Sequence, residues 1–295
     1  MAERQILGGS VRPERFYTTV SVVAVVVVLA LWELSSVLGW VDPVFLPSPQ
    51  TVWASLADLV QNGYKGNSLL AHISVSMVRL FTAIGLIVVI GVPLGMLAGV
   101  SRLARSIISP FIEFYRAIPP LAYYTLIVLW MGIGDGSKEV LLFLSGFAPF
   151  LIAVTFAVEN VSRVRIEAAR SLVAGRMRLL TSIVFRECLP DILTALRTSV
   201  GITYATLVAA EMVAATAGIG WLVLDASKYL RNDVVYAGVI LMGVIAIVLN
   251  ELILLLVKVA TPWSSKGSRV AHALAALLIA VVLGAVVAVG AASVA

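Results

Sequence analysis

Apolar residues run along this chain in blocks long enough to cross a bilayer, separated by short polar or Gly/Pro-rich links. A helix spans roughly 30 Å of hydrocarbon with about 20 residues. The blocks near Tyr17 to Leu38, Leu70 to Val100, Ile107 to Ile133, Val140 to Val158, Ile192 to Ala215 and Val234 to Val259 reach that length, which predicts six spans. A seventh run, Ala271 to Val294, holds His272 and no other ionisable group, and is long enough to span with some tilt. Between the first two spans, Pro43, Pro47 and Pro49 precede Val52, Leu56 and Leu59 at helical spacing, predicting a loop followed by a short surface helix. The expected fold is all-α and polytopic, with a six-helix membrane core plus a seventh C-terminal helix. Its parts are an N-terminal tail over 1–16, a membrane domain over 17–263 and an added segment over 264–295.

Composition agrees with this pattern. The 295 residues are 61% hydrophobic and 13% charged, whereas soluble domains carry about 25% charged residues. The valine-rich run from Val22 to Val28 behind Arg4, Arg12 and Arg15 resembles a signal peptide. It continues into Leu31, Trp32 and Leu34 without a small-x-small cleavage site, which favours an uncleaved anchor with a cytoplasmic N-terminus. The formal net charge of +5 comes from Lys and Arg scattered between spans, not from a basic face with aromatics, so nucleic acid is excluded as a partner. With the N-terminus inside, the arginines from Arg163 to Arg186 join Arg102, Arg105, Lys258, Lys266 and Arg269 on the cytoplasmic side. Lys65, Lys138, Lys228 and Arg231 fall outside, as the positive-inside rule requires. Cys188 is the only cysteine, which excludes an intrachain disulfide; with His72 and His272 far apart, no metal site is expected.

The longest cytoplasmic link, Glu159 to Asp191, is the most informative. Val161, Val164, Ala168 and Leu172 recur at helical spacing while Arg163, Arg165, Glu167 and Arg170 occupy other faces, predicting a short amphipathic helix outside the bilayer. Such a helix either rests on lipid headgroups or docks into a partner protein. Glu167-Ala168-Ala169, followed by Leu189-Pro190, resembles the loop of binding-protein-dependent ABC importer permeases that inserts into a groove of the cytoplasmic ATPase. Where that family usually has a glycine this chain has Val173, and its first Leu-Pro pair is Phe185-Arg186. A valine does not readily take positive φ, which moves the expected bend to Gly175.

The resemblance extends over most of Phe45 to Trp263. Phe45-Leu-Pro-Ser-Pro49, Tyr115-Arg-Ala-Ile-Pro-Pro-Leu-Ala122, Gly132-Ile-Gly134, Leu207-Val-Ala-Ala-Glu211 and Thr261-Pro-Trp263 are similar to the taurine, sulfonate and nitrate branch of these permeases. It implies a type I importer core in the inner membrane that pairs with a second copy of itself. It also implies two cytoplasmic ATPase subunits, where ATP and Mg would bind, and an external or periplasmic substrate-binding protein. The site residues it implies for ATPase coupling are Glu167, Ala168, Ala169, Val173 and Gly175. Taurine or a related sulfonate is the implied cargo, with nitrate or a pyrimidine precursor as alternatives.

Charges inside spans are costly and should face protein or water. Glu113 and Arg116, three residues apart, either neutralise each other on one helix face or leave Arg116 facing a translocation path, where its planar donors suit a sulfonate. Pro119 and Pro120 remove two backbone donors, which inside a membrane is tolerated only against protein or a water-filled cavity. Glu211 precedes Gly218-Ile-Gly-Trp221 and is expected at an outer gate, or capping the short helix that follows. The run Gly132-Ile-Gly-Asp-Gly-Ser-Lys138 lacks the spacing of a phosphate loop, so the chain is expected to hold no nucleotide or other cofactor and to be no enzyme. An ion-coupled secondary transporter is the rival reading, against which the absence of an internal repeat counts.

Overall fold

A computed structural model describes residues 14–171 and 175–261. The N-terminal tail, Leu172, Val173, Pro262-Trp263 and the run from Ala271 lie outside the described residues. The described chain is helical: α1 Glu14–Val37, α2 Pro49–Asn62, α3 Leu69–Val100, α4 Arg102–Arg116, α5 Pro120–Met131, α6 Asp135–Glu159, α7 Arg163–Ser171, α8 Arg176–Leu179, α9 Phe185–Ala214, α10 Ile219–Lys228 and α11 Asn232–Ala260. A π-helical turn, Leu180–Val184, joins α8 to α9, so that one apolar helix of 38 residues runs from Met177 to Ala214. Among the described residues, five helices are long and apolar enough to cross a membrane: this one, α1, α3, α6 and α11.

The span expected from Ile107 to Ile133 is not one helix. Pro119 and Pro120 lack amide hydrogens, and the residue before a proline is driven out of the helical region. The chain therefore breaks after Arg116 and restarts at Pro120 as a 12-residue apolar helix. α4 carries Arg102, Arg105, Glu113 and Arg116 around one apolar stripe, so it is amphipathic and not a spanning segment.

The centre of the molecule is α6 packed between α3 and α9. Ile87, Phe150, Leu151, Val154, Val158, Ile192 and Val200 form the largest buried cluster. Gly91, Gly95 and Gly99 recur every four residues on α3 and face Phe150, Val154 and Val158, which recur every four on α6. A Cβ placed on the glycines would lie 2.6, 2.7 and 2.5 Å from those side chains. Between lipid-bathed helices the drive to associate comes from close van der Waals contact, which small residues permit.

Short polar ties fix the periphery. Ser48, Ser68 and Ser101 cap α2, α3 and α4, each hydroxyl accepting the amide three residues on. α1 is exposed from Thr19 to Leu31 and is held near its C-terminal end, where the half-buried Trp32 indole donates to the Pro47 carbonyl at 3.0 Å and stacks on Tyr236. Val52, Ser55 and Leu59 of α2 are buried, and the Ser55 hydroxyl donates to Asp233 on α11 at 2.7 Å. At the other end of the molecule Arg105 pairs with Glu159, joining α4 to the end of α6.

Candidate functional site

The most polar place in the core lies where α10 begins. A helix start exposes amide donors with no partner of their own, and here side chains from two neighbouring helices meet them. The Gly220 amide donates to Glu211 Oε2 at 2.9 Å, the Ile219 amide to Ser76 Oγ at 3.0 Å and the Gly218 amide to His72 Nδ1 at 3.2 Å. The last contact makes Nδ1 the acceptor, so the His72 ring is neutral, with its proton on Nε2 facing the Tyr64 carbonyl at 3.3 Å. Gly218 sits at φ +128, and a Cβ there would lie 2.4 Å from the Glu211 carboxylate. Both geometry and space therefore demand glycine.

Glu211 is 1% exposed, and its charge is answered locally. Arg79 Nη1 donates to Glu211 Oε1 at 2.8 Å and to the Ala217 carbonyl at 3.0 Å, while the Ser76 hydroxyl donates to Oε1 at 2.7 Å. The other edge of the Arg79 guanidinium reaches Asp135, with Nη2 2.7 Å from Oδ1. Lys138 also turns inward, donating to the Gly134 carbonyl at 3.0 Å. Two cations and two carboxylates thus share one site where α3, α6, α9 and α10 meet, and the ensemble is electrically balanced. Lys138 was expected as an outward-facing topology charge; it is 3% exposed because this pocket supplies its acceptors. Its amine is consumed there, so the glycine-rich run before α6 offers no free lysine to a phosphate. The sequence reading passed over His72, Ser76 and Arg79 as a group, although that spacing puts polar atoms on one face of an apolar helix.

Pro119 and Pro120 form the α4–α5 break. Arg116 and Glu113 are joined by a bond of 2.7 Å from Nε and are both about half exposed, on the face of α4 next to that break. Arg116 and Pro120 line a cavity that is also lined by the middle of α6 around Pro149.

Glu167, Ala168 and Ala169 lie on α7. The apolar stripe expected on this helix was Val161, Val164, Ala168 and Leu172, turned to lipid headgroups or to a partner. Val164, Glu167 and Ala168 are exposed, Val164 at 74%, while Ile166 and Ala169 turn toward the core. Val161 is buried, but it precedes the helix. The helix starts at Arg163, and its register is set by Glu187 at the start of α9, which pairs with Arg165 at 2.9 Å and accepts the Ser162 amide at 3.4 Å. Gly175 is exposed and its carbonyl accepts the Leu179 amide, opening α8, on which Met177 is also exposed. Val173 falls outside the described residues. Val164, Ala168 and the Glu167 carboxylate thus form an exposed strip on a helix tied by Arg165 and Glu187 to the start of a long span.

Residues 91–293 match the family described as binding-protein-dependent transport system inner membrane component. The taurine transport system permease protein TauC of Escherichia coli is 39% identical over 246 residues, covering 83% of this chain and 90% of the relative. The putative aliphatic sulfonates transport permease protein SsuC of Bacillus subtilis is 29% identical, over 80% and 84% of the two chains. The nitrate import permease protein NrtB of a Synechocystis species is 27% identical, over 83% and 90%. Among solved structures, a chain of the inward-facing MetNI methionine ABC transporter shares the fold, with a TM-score of 0.59 at 19% identity over 65% of this chain and 96% of that one.

Proposed function

Because this chain belongs to the family of binding-protein-dependent transport system inner membrane components, we propose that it is the membrane-spanning permease subunit of an ATP-driven importer for taurine or a related sulfonate. It acts as one of two copies, with two cytoplasmic ATPase subunits that bind ATP and Mg and an external protein that delivers the cargo. The N-terminus and α7 lie on the cytoplasmic side.

The observation that carries this reading is α7, whose apolar and acidic face is turned away from its own core. An exposed helix face of that kind is covered by a partner when the complex forms. Closure of the ATPase dimer pulls on α7, and the Arg165–Glu187 pair passes the displacement to the base of α9. At about 1.5 Å per residue the 38-residue helix from Met177 to Ala214 is roughly 57 Å long. That exceeds the bilayer core and reaches the Glu211 cluster at the far end. Movement of Glu211 takes with it the α10 start that it caps, which opens or closes the outer end of the path.

The taurine or sulfonate cargo is supported by the relatives named above and by Arg116 at the α4–α5 break. Proteoliposomes holding this chain with its ATPase, loaded with ATP inside and given binding protein outside, are expected to accumulate radiolabelled taurine. Uptake that persists without ATP but collapses with an ion gradient would favour the secondary-transporter alternative instead.

A further inference from the structure

We propose that a cavity of about 260 Å³ between the α4–α5 break and the middle of α6 is a way station that holds the zwitterionic aminosulfonate as it crosses the protein. It rests on the importer reading above. The walls come from Tyr115, Arg116, Tyr123, Ser145, Pro149 and Ile202. Such a volume lies just below the range of ligand pockets, about 300–1,000 Å³, and suits a cargo of few heavy atoms.

Two observations point to a polar occupant. The Tyr115 hydroxyl is buried, and the group beside it is the Ala148 backbone amide, itself a donor, so the hydroxyl hydrogen has no acceptor among the described residues. A buried hydroxyl left that way is costly unless something visits it. On the facing wall, Pro149 lies inside α6 and has no amide hydrogen, so the Ser145 carbonyl one turn earlier loses its helical donor. The Ser145 hydroxyl is spent on the Leu142 carbonyl at 2.8 Å, so the acceptor this wall can offer a guest is the Ser145 backbone oxygen, to which Pro149 cannot donate.

Charge completes the pattern. Arg116 contacts Glu113 through Nε and Nη2, and its Nη1 has no partner among the described residues. Arg116 and Tyr115 therefore offer donors to a sulfonate, while the freed Ser145 carbonyl offers an acceptor to an ammonium group. A cargo with both ends fits both walls, whereas nitrate satisfies only one.

The test is equilibrium binding of radiolabelled taurine to the full chain with its ATPase in nanodiscs, without binding protein. The native complex is expected to bind taurine saturably. Tyr115→Phe, which keeps the ring, weakens binding about tenfold, as expected for one lost hydrogen bond to a charged group. Ser145→Leu, which fills the cavity, abolishes it. Ethanesulfonate, which lacks the ammonium, competes at least about tenfold more weakly than unlabelled taurine, on the same scale of one charge-assisted bond. Absent saturable binding, or equal affinity in native, Tyr115→Phe and Ser145→Leu complexes, overturns the way station. Equal competition by ethanesulfonate overturns the zwitterion assignment. ATP hydrolysis is read on the same native samples. If the binding protein stimulates it while taurine fails to bind, the way station falls and the importer stands; if it is indifferent to the binding protein, both fall.

Discussion

Glu211 is an ionisable side chain buried inside a span, and its surroundings explain why the chain tolerates it there. Arg79, Ser76 and the Gly220 amide take up its oxygens. Removing one partner of a buried pair costs about 3–5 kcal/mol, because the other charge is left unanswered. Glu211→Ala is therefore expected to lower the thermal midpoint of the purified protein sharply, whereas Glu251→Ala, at an exposed position, leaves it near the native value. Equal midpoints for the two variants would contradict the structural role assigned to Glu211. Its acidity and its place before the Gly-Ile-Gly-Trp break were legible in the sequence. Its partner Arg79 was not, because nothing local says which of several charges in different spans will meet.

A second polar tie joins the Tyr64–Lys65 loop to α10. Asp225 receives the Lys65 amine at 2.6 Å and the Tyr64 hydroxyl at 3.0 Å. The hydrogen bond from Lys65 holds the Asp225 carboxyl below its ordinary value of 3.8, and the same bond from Asp225 raises the Lys65 amine above 10.5. Burial, with the Asp225 bond added, pushes the Tyr64 hydroxyl up to about 12. A depressed carboxyl stabilises the fold above its unfolded pKa and loses that contribution as pH falls through the folded one. A raised amine contributes below 10.5 and loses its contribution as pH rises through the folded value. Hydrogen exchange of the loop is thus expected to be flat across neutral pH after correction for intrinsic rates, with excess opening below about pH 4. The excess disappears from the difference between native and Asp225→Asn, which opens at neutral pH as well.

At the scale of elements, hydropathy located the long helices well because a bilayer forces every backbone group to pair within its own segment. The α3, α6, α9 and α11 blocks appear close to where the apolar runs put them. Run length alone misjudged the Ile107–Ile133 block, where two adjacent prolines outweigh the apolar composition around them. Helical spacing identified the apolar stripe of α7 but not the residues that hold the helix to the core, Ile166 and Ala169, nor its tie to Glu187 far along the chain. The glycine ladder was not singled out either, since its meaning depends on Phe150, Val154 and Val158 standing opposite. Gly95→Leu drives a side chain into the space now held by Val154. Overpacking of this kind costs about 1–3 kcal/mol or more, so the variant should lose thermal stability, while Gly85→Leu, facing open space, should not. A Gly95→Leu protein as stable as the native one would mean that α3 and α6 do not pack this closely.

For the whole molecule, the two ends that matter are joined by one helix. The exposed face of α7 sits at the foot of α9 and the Glu211 cluster near its head, so a rigid displacement at one end is felt at the other without a chain of intermediaries. The resemblance of Glu167-Ala168-Ala169 to the coupling loop of importer permeases was legible in three letters and their placement. That the loop is tied to α9 through Arg165 and Glu187 was not, because the pair is a tertiary contact. The most direct test of the importer account is ATP hydrolysis by the purified complex in nanodiscs, with and without taurine-loaded binding protein, comparing the native chain with Glu167→Arg. The account predicts stimulation by the loaded binding protein that Glu167→Arg abolishes, since the substitution reverses the charge on the docking face. Hydrolysis that ignores the binding protein, or stimulation that survives Glu167→Arg unchanged, would contradict it.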